Sequence, residues 1–167
     1  MPFFIPTYLK KRVFHITYDF LQKENIKGLL LDVDNTLTLH NSPELSQEVD
    51  KWLKDMKNNG IKMIIISNNN KERVEAFAAA LELEFLPDAK KPLTSGVNHC
   101  VQILGLPKNE VALVGDQIFT DILAGNRGGI RTVLLEPFNP NEWWFIKLKR
   151  FFEKPFIKYA RRKAEKQ

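Results

Sequence analysis

Residues 28–40 read GLLLDVDNTLTLH, an apolar run with the character of a buried strand that ends on two aspartates, Asp32 and Asp34, two positions apart. Carboxylates at such a place are costly to bury unless a cation, a hydrogen-bond network or a reaction requires them. Residues two apart in an extended chain point the same way, so both acids can face one pocket where the strand opens into its loop. Working outward, IKMIIIS (61–67), VALVGD (111–116) and IRTVLLE (130–136) repeat the apolar strand pattern, and EFLPDA (84–89) is a briefer candidate. Stretches of helical period lie between them. Leu45, Val49, Trp52, Leu53 and Met56 recur on one helical face and stop at NNG (58–60); residues 71–83 form a second helix. Val97, Cys100, Val101 and Leu104 mark a third, and a fourth begins at about Thr120. Alternating strand and helix, with both faces of the strands apolar, predicts an α/β fold: a doubly wound parallel sheet with helices on both faces. Ligands bind such sheets at the carboxyl ends of the strands, where Asp32, Ser67 and Asp116 all fall.

Acid, hydroxyl and acid at three strand ends make a coherent site for phosphoryl chemistry. One carboxylate can attack phosphorus and form an aspartyl-phosphate, while the other protonates the leaving oxygen and then activates water. An anion attacking a phosphate dianion needs charge neutralisation, and Mg²⁺ suits a site of carboxylates, waters and substrate phosphate. Asp116 can complete that metal site and Asp121, five residues on, can orient its ligand shell. Ser67 and the following Asn68 can donate to phosphate oxygens, and a lysine at 90–91 can supply positive charge to them.

DVDNT (32–36), IIISN (64–68), KP (91–92) and GDQIFTD (115–121) together resemble the four motifs of haloacid dehalogenase-like (HAD) phosphatases, in order, over about residues 26–136. The resemblance implies Asp32 as nucleophile and Asp34 as general acid/base. It implies Mg²⁺ on the Asp32 side chain, the Asp34 backbone carbonyl and Asp116, with Asp121 and Thr36 in support. Ser67, Asn68 and a lysine are implied on the phosphate; Lys91 is preferred to Lys90 because the family's lysine usually precedes a proline. The wording of GLLLDVDNTLT, ISNNN, AKKP and VGDQIFTDILAGNRGGIRTVLL is similar to the YqeG-type branch, whose relatives include phosphatidylglycerophosphate phosphatases. About thirty residues separate Asp34 from Ser67 and about two dozen separate Ser67 from Lys91, each largely spent on one helix, so neither interval holds a cap domain. Capless members of the family leave the catalytic face open to large or surface-presented substrates.

The 167 residues suffice for one well-packed domain, and the single Cys100 excludes an intrachain disulfide. No apolar run approaches the ~18 residues of a spanning helix, and MPFFIPTYLKKR places apolar residues before basic ones, the reverse of a secretory signal. The expectation is a cytoplasmic protein, peripheral on the inner face of the membrane. Charge divides the chain in three: residues 1–28 carry five Lys/Arg against two acids, 29–140 eleven against fifteen, and 141–167 nine against three. A HAD-like core over 28–140 is therefore expected between basic aromatic segments at 1–27 and 141–167. Trp143, Trp144, Phe151, Phe152 and Phe156, interleaved with Lys147, Lys149, Arg150, Arg161 and Arg162, suit an anionic lipid interface, and MPFFIPTYLKKRVF is similar. Residues 1–20 and 141–163 are the candidate membrane contacts, with simple packing on the core as the other reading. The expected substrate is phosphatidylglycerophosphate. The alternatives are a nucleic-acid terminus or phosphoprotein, which basic ends also suit, or a non-catalytic binding module on the same scaffold.

Overall fold

The computed structural model describes residues 2–38, 45–136, 155–159 and 161. Six strands form one wholly parallel sheet: β1 (Tyr8–Lys10), β2 (Gly28–Leu31), β3 (Lys62–Ile66), β4 (Glu84–Leu86), β5 (Val111–Gly115) and β6 (Arg131–Leu135), in spatial order β1-β6-β5-β2-β3-β4. The strand whose reading opened the chain, β2, lies between β5 and β3 and is buried along its whole length. A strand with helices on both sides has no polar face to offer, which is why Leu29, Leu30 and Leu31 run consecutively.

Leu29, Leu31, Met63, Ala112, Val114 and Val133 pack on one side against α1 (Tyr18–Lys23) and α2 (Gln47–Asn58); Ile65 on the same side meets Val74 and Ala78 of α3 (Lys71–Leu81). Leu30, Ile64, Ile66, Val111 and Leu113 pack on the other against α4 (Ser95–Leu104) and Ala124 of α5 (Leu123–Gly128). The helix periods expected from sequence are the ones buried: Val49, Trp52, Leu53 and Met56 on α2, and Val97, Cys100, Val101 and Leu104 on α4. Ser46 caps α2 by accepting from Val49 N at 3.3 Å, and Gly60, at φ +75°, turns the chain back into β3 where a side chain would be strained. Burial pushes the Cys100 thiol up to about 12, so it is inert core.

Residues 2–27, set apart in the sequence by their charge, are woven into this core. Tyr8–Lys10 extends the sheet beside β6, and Val13, Ile16, Leu21 and Ile26 are buried in the same cluster as β2 and α2. Trp52 Nε1 donates to Ile16 O at 2.7 Å, Tyr8 Oη to Glu24 at 2.5 Å, and the Lys10 ammonium sits 3.9 Å from the Phe20 ring centroid. At the other end, the helical stretch 155–159 lays Phe156 and Ile157 against Ile118, Ile122 and Leu134. Trp143, Trp144, Phe151 and Phe152, expected at a lipid interface, lie outside the described residues, whereas Phe156, expected there too, packs on the core and Arg161 pairs with Glu136 at 2.8 Å.

Candidate active site

Asp32 sits at the point where β2 leaves the sheet. Its backbone N–H still donates to Val114 O at 3.0 Å, and the chain then closes a tight turn in which Thr36, Leu37 and Thr38 all donate to Val33 O. Asn35 takes φ +58° within it, a conformation that asparagine tolerates better than most residues. The turn separates the two acids. Asp32 points into the buried end of the sheet; Asp34 sits further out, with Oδ2 accepting from Asn69 Nδ2 and Oδ1 from Arg73 Nη2, each at 2.6 Å.

Ser67, Asn68 and Asn69 follow β3. Ser67 is buried, its Oγ accepting from Asn69 N at 3.1 Å and its carbonyl from Ala89 N at 2.9 Å. Asn68, expected on the phosphate, spends its side chain otherwise: Oδ1 accepts from Lys91 N at 2.7 Å and Nδ2 donates to Lys91 O at 2.9 Å. It thereby fixes the loop that carries the lysine. Within that loop Lys90, at φ +55°, is exposed, whereas Lys91 turns inward. The Lys91 ammonium reaches Asp32 Oδ1 at 2.7 Å, Asp121 Oδ1 at 2.7 Å and Ile66 O at 3.1 Å.

Asp116 follows β5, and a π-helical turn, Ile118–Ile122, brings Asp121 back beneath it. The wide turn has a cause in the hydrogen bonding, since Ile122 N reaches five residues back to Gln117 O at 3.2 Å; such turns are frequent at functional sites. Asp121 Oδ2 accepts from Gln117 N at 3.1 Å, which holds the carboxylate in place. Gly115 permits that approach: a Cβ there would lie 2.4 Å from Asp121 Cγ. A Gly115→Ala variant is therefore expected to fold but to displace Asp121, lowering divalent-metal affinity by about 10–100-fold, the usual range for disturbing a metal's outer shell. Metal titration calorimetry checks this directly, and wild-type affinity in the variant would show that Asp121 has slack.

Asp32, Asp116 and Asp121 each present an oxygen within 4.8 Å of the others, and all three are buried. Among the described residues the Lys91 ammonium lies between Asp32 and Asp121, and the three carboxylates share a buried, low-dielectric place. Burial above all, with Asp121 and Asp116 adding to it, pushes Asp32 up to about 8 despite the opposing pull of Lys91. Burial pulls the Lys91 pKa down, but Asp121 and Asp32 outweigh it, and the lysine stays charged. A hard divalent cation with oxygen ligands fits this donor set and its charge. The side chain of Asp34 is not part of this triad. The Thr36 hydroxyl is buried with no hydrogen-bond partner among the described residues.

A cavity of about 470 Å³ opens at the opposite, amino end of β2 and β3, among residues such as Tyr18, Asn25, Lys27 and Asn59, and includes none of these groups.

Residues 43–129 match the family model of haloacid dehalogenase-like hydrolases. The chain is 36% identical over 165 residues to a probable phosphatase of Bacillus subtilis, YqeG, covering 99% of this chain and 96% of that one. The chain belongs to the HAD family. It is a HAD-type phosphatase of the YqeG branch, and no cap domain interrupts the described residues. It is also 29% identical over 156 residues to phosphatidylglycerophosphate phosphatase 1 of Arabidopsis thaliana, covering 86% of this chain and 44% of that one, so it spans less than half of the plant protein. Among solved structures, a putative HAD subfamily IIIA hydrolase from Legionella pneumophila superposes with a TM-score of 0.50 at 26% identity, over 58% of this chain and 59% of that one. An uncharacterised Listeria monocytogenes protein shares the fold at a TM-score of 0.58 and 19% identity, over 70% of this chain and 84% of that one.

Against the family pattern, two site residues escape a reading of the sequence. Asn69 is the third residue of SNNN, a stretch that the resemblance includes without a role for it, and Arg73 has the look of a solvated residue in the first turn of α3. Only the fold brings them to Asp34.

Proposed function

We propose that this HAD phosphatase hydrolyses a phosphomonoester through an aspartyl-phosphate on Asp32, and that its substrate is phosphatidylglycerophosphate at a membrane surface. The observation that carries the mechanism is the placement of Asp32 at the end of the central strand, 2.7 Å from Lys91 and inside the buried triad with Asp116 and Asp121.

In the first step an Asp32 oxygen forms a bond to phosphorus as the ester P–O bond breaks. The electron pair leaves on the alcohol oxygen, which takes a proton from the Asp34 carboxyl. In the second, Asp34 takes a proton from a water that attacks phosphorus; the bond to Asp32 breaks, inorganic phosphate forms, and both acids return to their starting state. Lys91 and Ser67 face the phosphate oxygens, where fixed donors stabilise the charge that builds during transfer. Asn68 and Asp121 hold Lys91 in place, from its backbone and its ammonium respectively. Mg²⁺ would be held by Asp32, Asp116 and the Asp34 carbonyl, with Asp121 and Thr36 in support, and would neutralise the phosphate charge that otherwise repels Asp32.

The lipid substrate is supported by the similarity to plant and algal phosphatidylglycerophosphate phosphatases, by the capless face, and by the basic aromatic ends. In this reading the protein works in the cytoplasm, peripheral on the inner face of the membrane, with exposed groups of the amino-terminal segment such as Phe3 and Lys11 toward the lipid while Val13, Ile16 and Phe156 stay packed on the core. No helix among the described residues is long and apolar enough to cross a membrane. Phosphate release from phosphatidylglycerophosphate in mixed micelles, with Mg²⁺ and with Asp32→Asn as blank, tests this against soluble glycerol phosphate at equal concentration. Much faster release from the lipid is the expected result. Equal or negligible lipid turnover would leave the chemistry standing and point to a phosphoprotein or a nucleic-acid end.

A further inference from the structure

Arg73 has no part in the steps above, yet it lies on the carboxylate that moves the proton. Its Nη2 donates to Asp34 Oδ1 at 2.6 Å while Asn69 Nδ2 holds Oδ2 at 2.6 Å, so both oxygens are engaged. A carboxyl that protonates a leaving oxygen must present one of its own oxygens to it. Each oxygen keeps a second lone-pair position, but the leaving oxygen approaches Asp34 most directly in a productive complex when one of the two donors gives way.

The surroundings decide which. Asn69 is tied into the loop after β3, its N–H on Ser67 Oγ and its carbonyl accepting from Asp88 N. Arg73 springs from the first turn of α3 and its side chain is 39% exposed, against 14% for Asp34. A guanidinium exchanges one oxyanion for another readily, because carboxylate and phosphate oxygens suit the same planar fork. The position of the leaving group supplies the second oxyanion. Because the leaving oxygen must come to Asp34, whatever the leaving alcohol carries lies on the outer side of Asp34, where Arg73 stands. Lys91 cannot serve there, because its ammonium lies between Asp32 and Asp121 at the buried end of the site.

Resting on the phosphatase reading above, we propose that Arg73 determines specificity by binding a second anionic group on the leaving alcohol, and that its departure for that group frees Asp34 Oδ1 to meet the leaving oxygen. The preferred substrate class is a phosphomonoester whose alcohol bears a nearby phosphodiester or second phosphate. Recognition and proton transfer are thereby linked: a substrate with one phosphate leaves Arg73 on Asp34 and turns over poorly.

The test compares kcat/KM with Mg²⁺ for glycerol 3-phosphate and for glycerophosphoglycerol phosphate, the soluble headgroup that has a phosphomonoester, a phosphodiester and no acyl chains. Wild type, Arg73→Met and Arg73→Lys are measured on both, with Asp32→Asn as blank. Wild type is expected to favour the two-anion substrate by about tenfold or more, the worth of one charge-assisted contact. Arg73→Met should bring the ratio to within about twofold, mainly through KM of the two-anion substrate, and Arg73→Lys should keep part of it. An unchanged ratio in Arg73→Met overturns the inference, as does a wild type without preference between the two soluble substrates. If no release depends on Asp32, the phosphatase mechanism itself fails, and the inference with it.

Discussion

Asp32→Asn is expected to lower phosphate release by about 10⁴-fold or more on every phosphomonoester, the scale on which enzymes lose turnover when a covalent nucleophile is removed. The variant should keep its fold. Asparagine is nearly isosteric, and its amide oxygen can still accept from the Lys91 ammonium 2.7 Å away. The metal-free protein should also change its response to pH. Burial holds the Asp32 carboxyl up to about 8, whereas in an unfolded chain it titrates near the ordinary carboxylate value. Between those limits the folded state keeps a proton that the unfolded state has released, so stability falls as pH rises, by up to roughly 1.4 kcal/mol per unit. That contribution is fully present below about pH 4 and is lost as pH passes through about 8. Denaturant midpoints in EDTA between pH 5 and 9 should therefore slope downward in wild type and flatten in Asp32→Asn. Equal slopes would remove Asp32 as the source, and substantial turnover in the variant would sink the mechanism.

Lys91→Met should damage both activity and stability. The ammonium is enclosed by Asp32, Asp121 and the Ile66 carbonyl, and methionine fills its volume without its charge. Removing a fixed cation that faces developing negative charge costs about 10²–10³ in kcat. Leaving buried carboxylates without their partner costs about 3–5 kcal/mol, an effect expected to grow as pH rises past about 8 in EDTA. Added Mg²⁺ should recover much of the stability, because a divalent cation offsets the charge of the same carboxylates, but little of the turnover. Thermal melts with and without Mg²⁺, run beside single-turnover kinetics, separate the two effects. A Lys91→Met protein as stable as wild type in EDTA would mean that the triad does not carry the charge assigned to it. Lys90→Met is the natural control, since that side chain is exposed.

The regular elements of the core were legible because burial leaves a periodic mark. Consecutive apolar residues in β2, β3 and β5, and helical spacing in α2 and α4, state which faces are covered. Strand β1 left no such mark. Tyr8–Lys10 is too short to show a period and is only partly buried at the edge of the sheet; it is a strand because β6 offers it a parallel partner. The basic residues that gave the first 27 positions a surface character say nothing about Val13, Ile16 and Leu21 among them, which are buried.

At the site, the sequence by itself determined the acids, the hydroxyl, the lysine–proline pair and their order along the chain. Each follows a strand or opens a loop, and a parallel sheet gathers its strand ends on one edge whatever the distances in sequence. Only the tertiary structure decided how those groups pair. It turned Lys91 inward and Lys90 outward, and it folded Asp121 under Asp116 through a π-helical turn that Gly115 leaves room for. It directed the Asn68 amide to the Lys91 backbone and brought Asn69 and Arg73 to Asp34. Spacing along a strand or helix is a one-dimensional pattern, and a sequence displays it. Which of two neighbouring lysines meets a carboxylate 59 residues away depends on loop geometry and shared charge, and these exist only once the chain has closed.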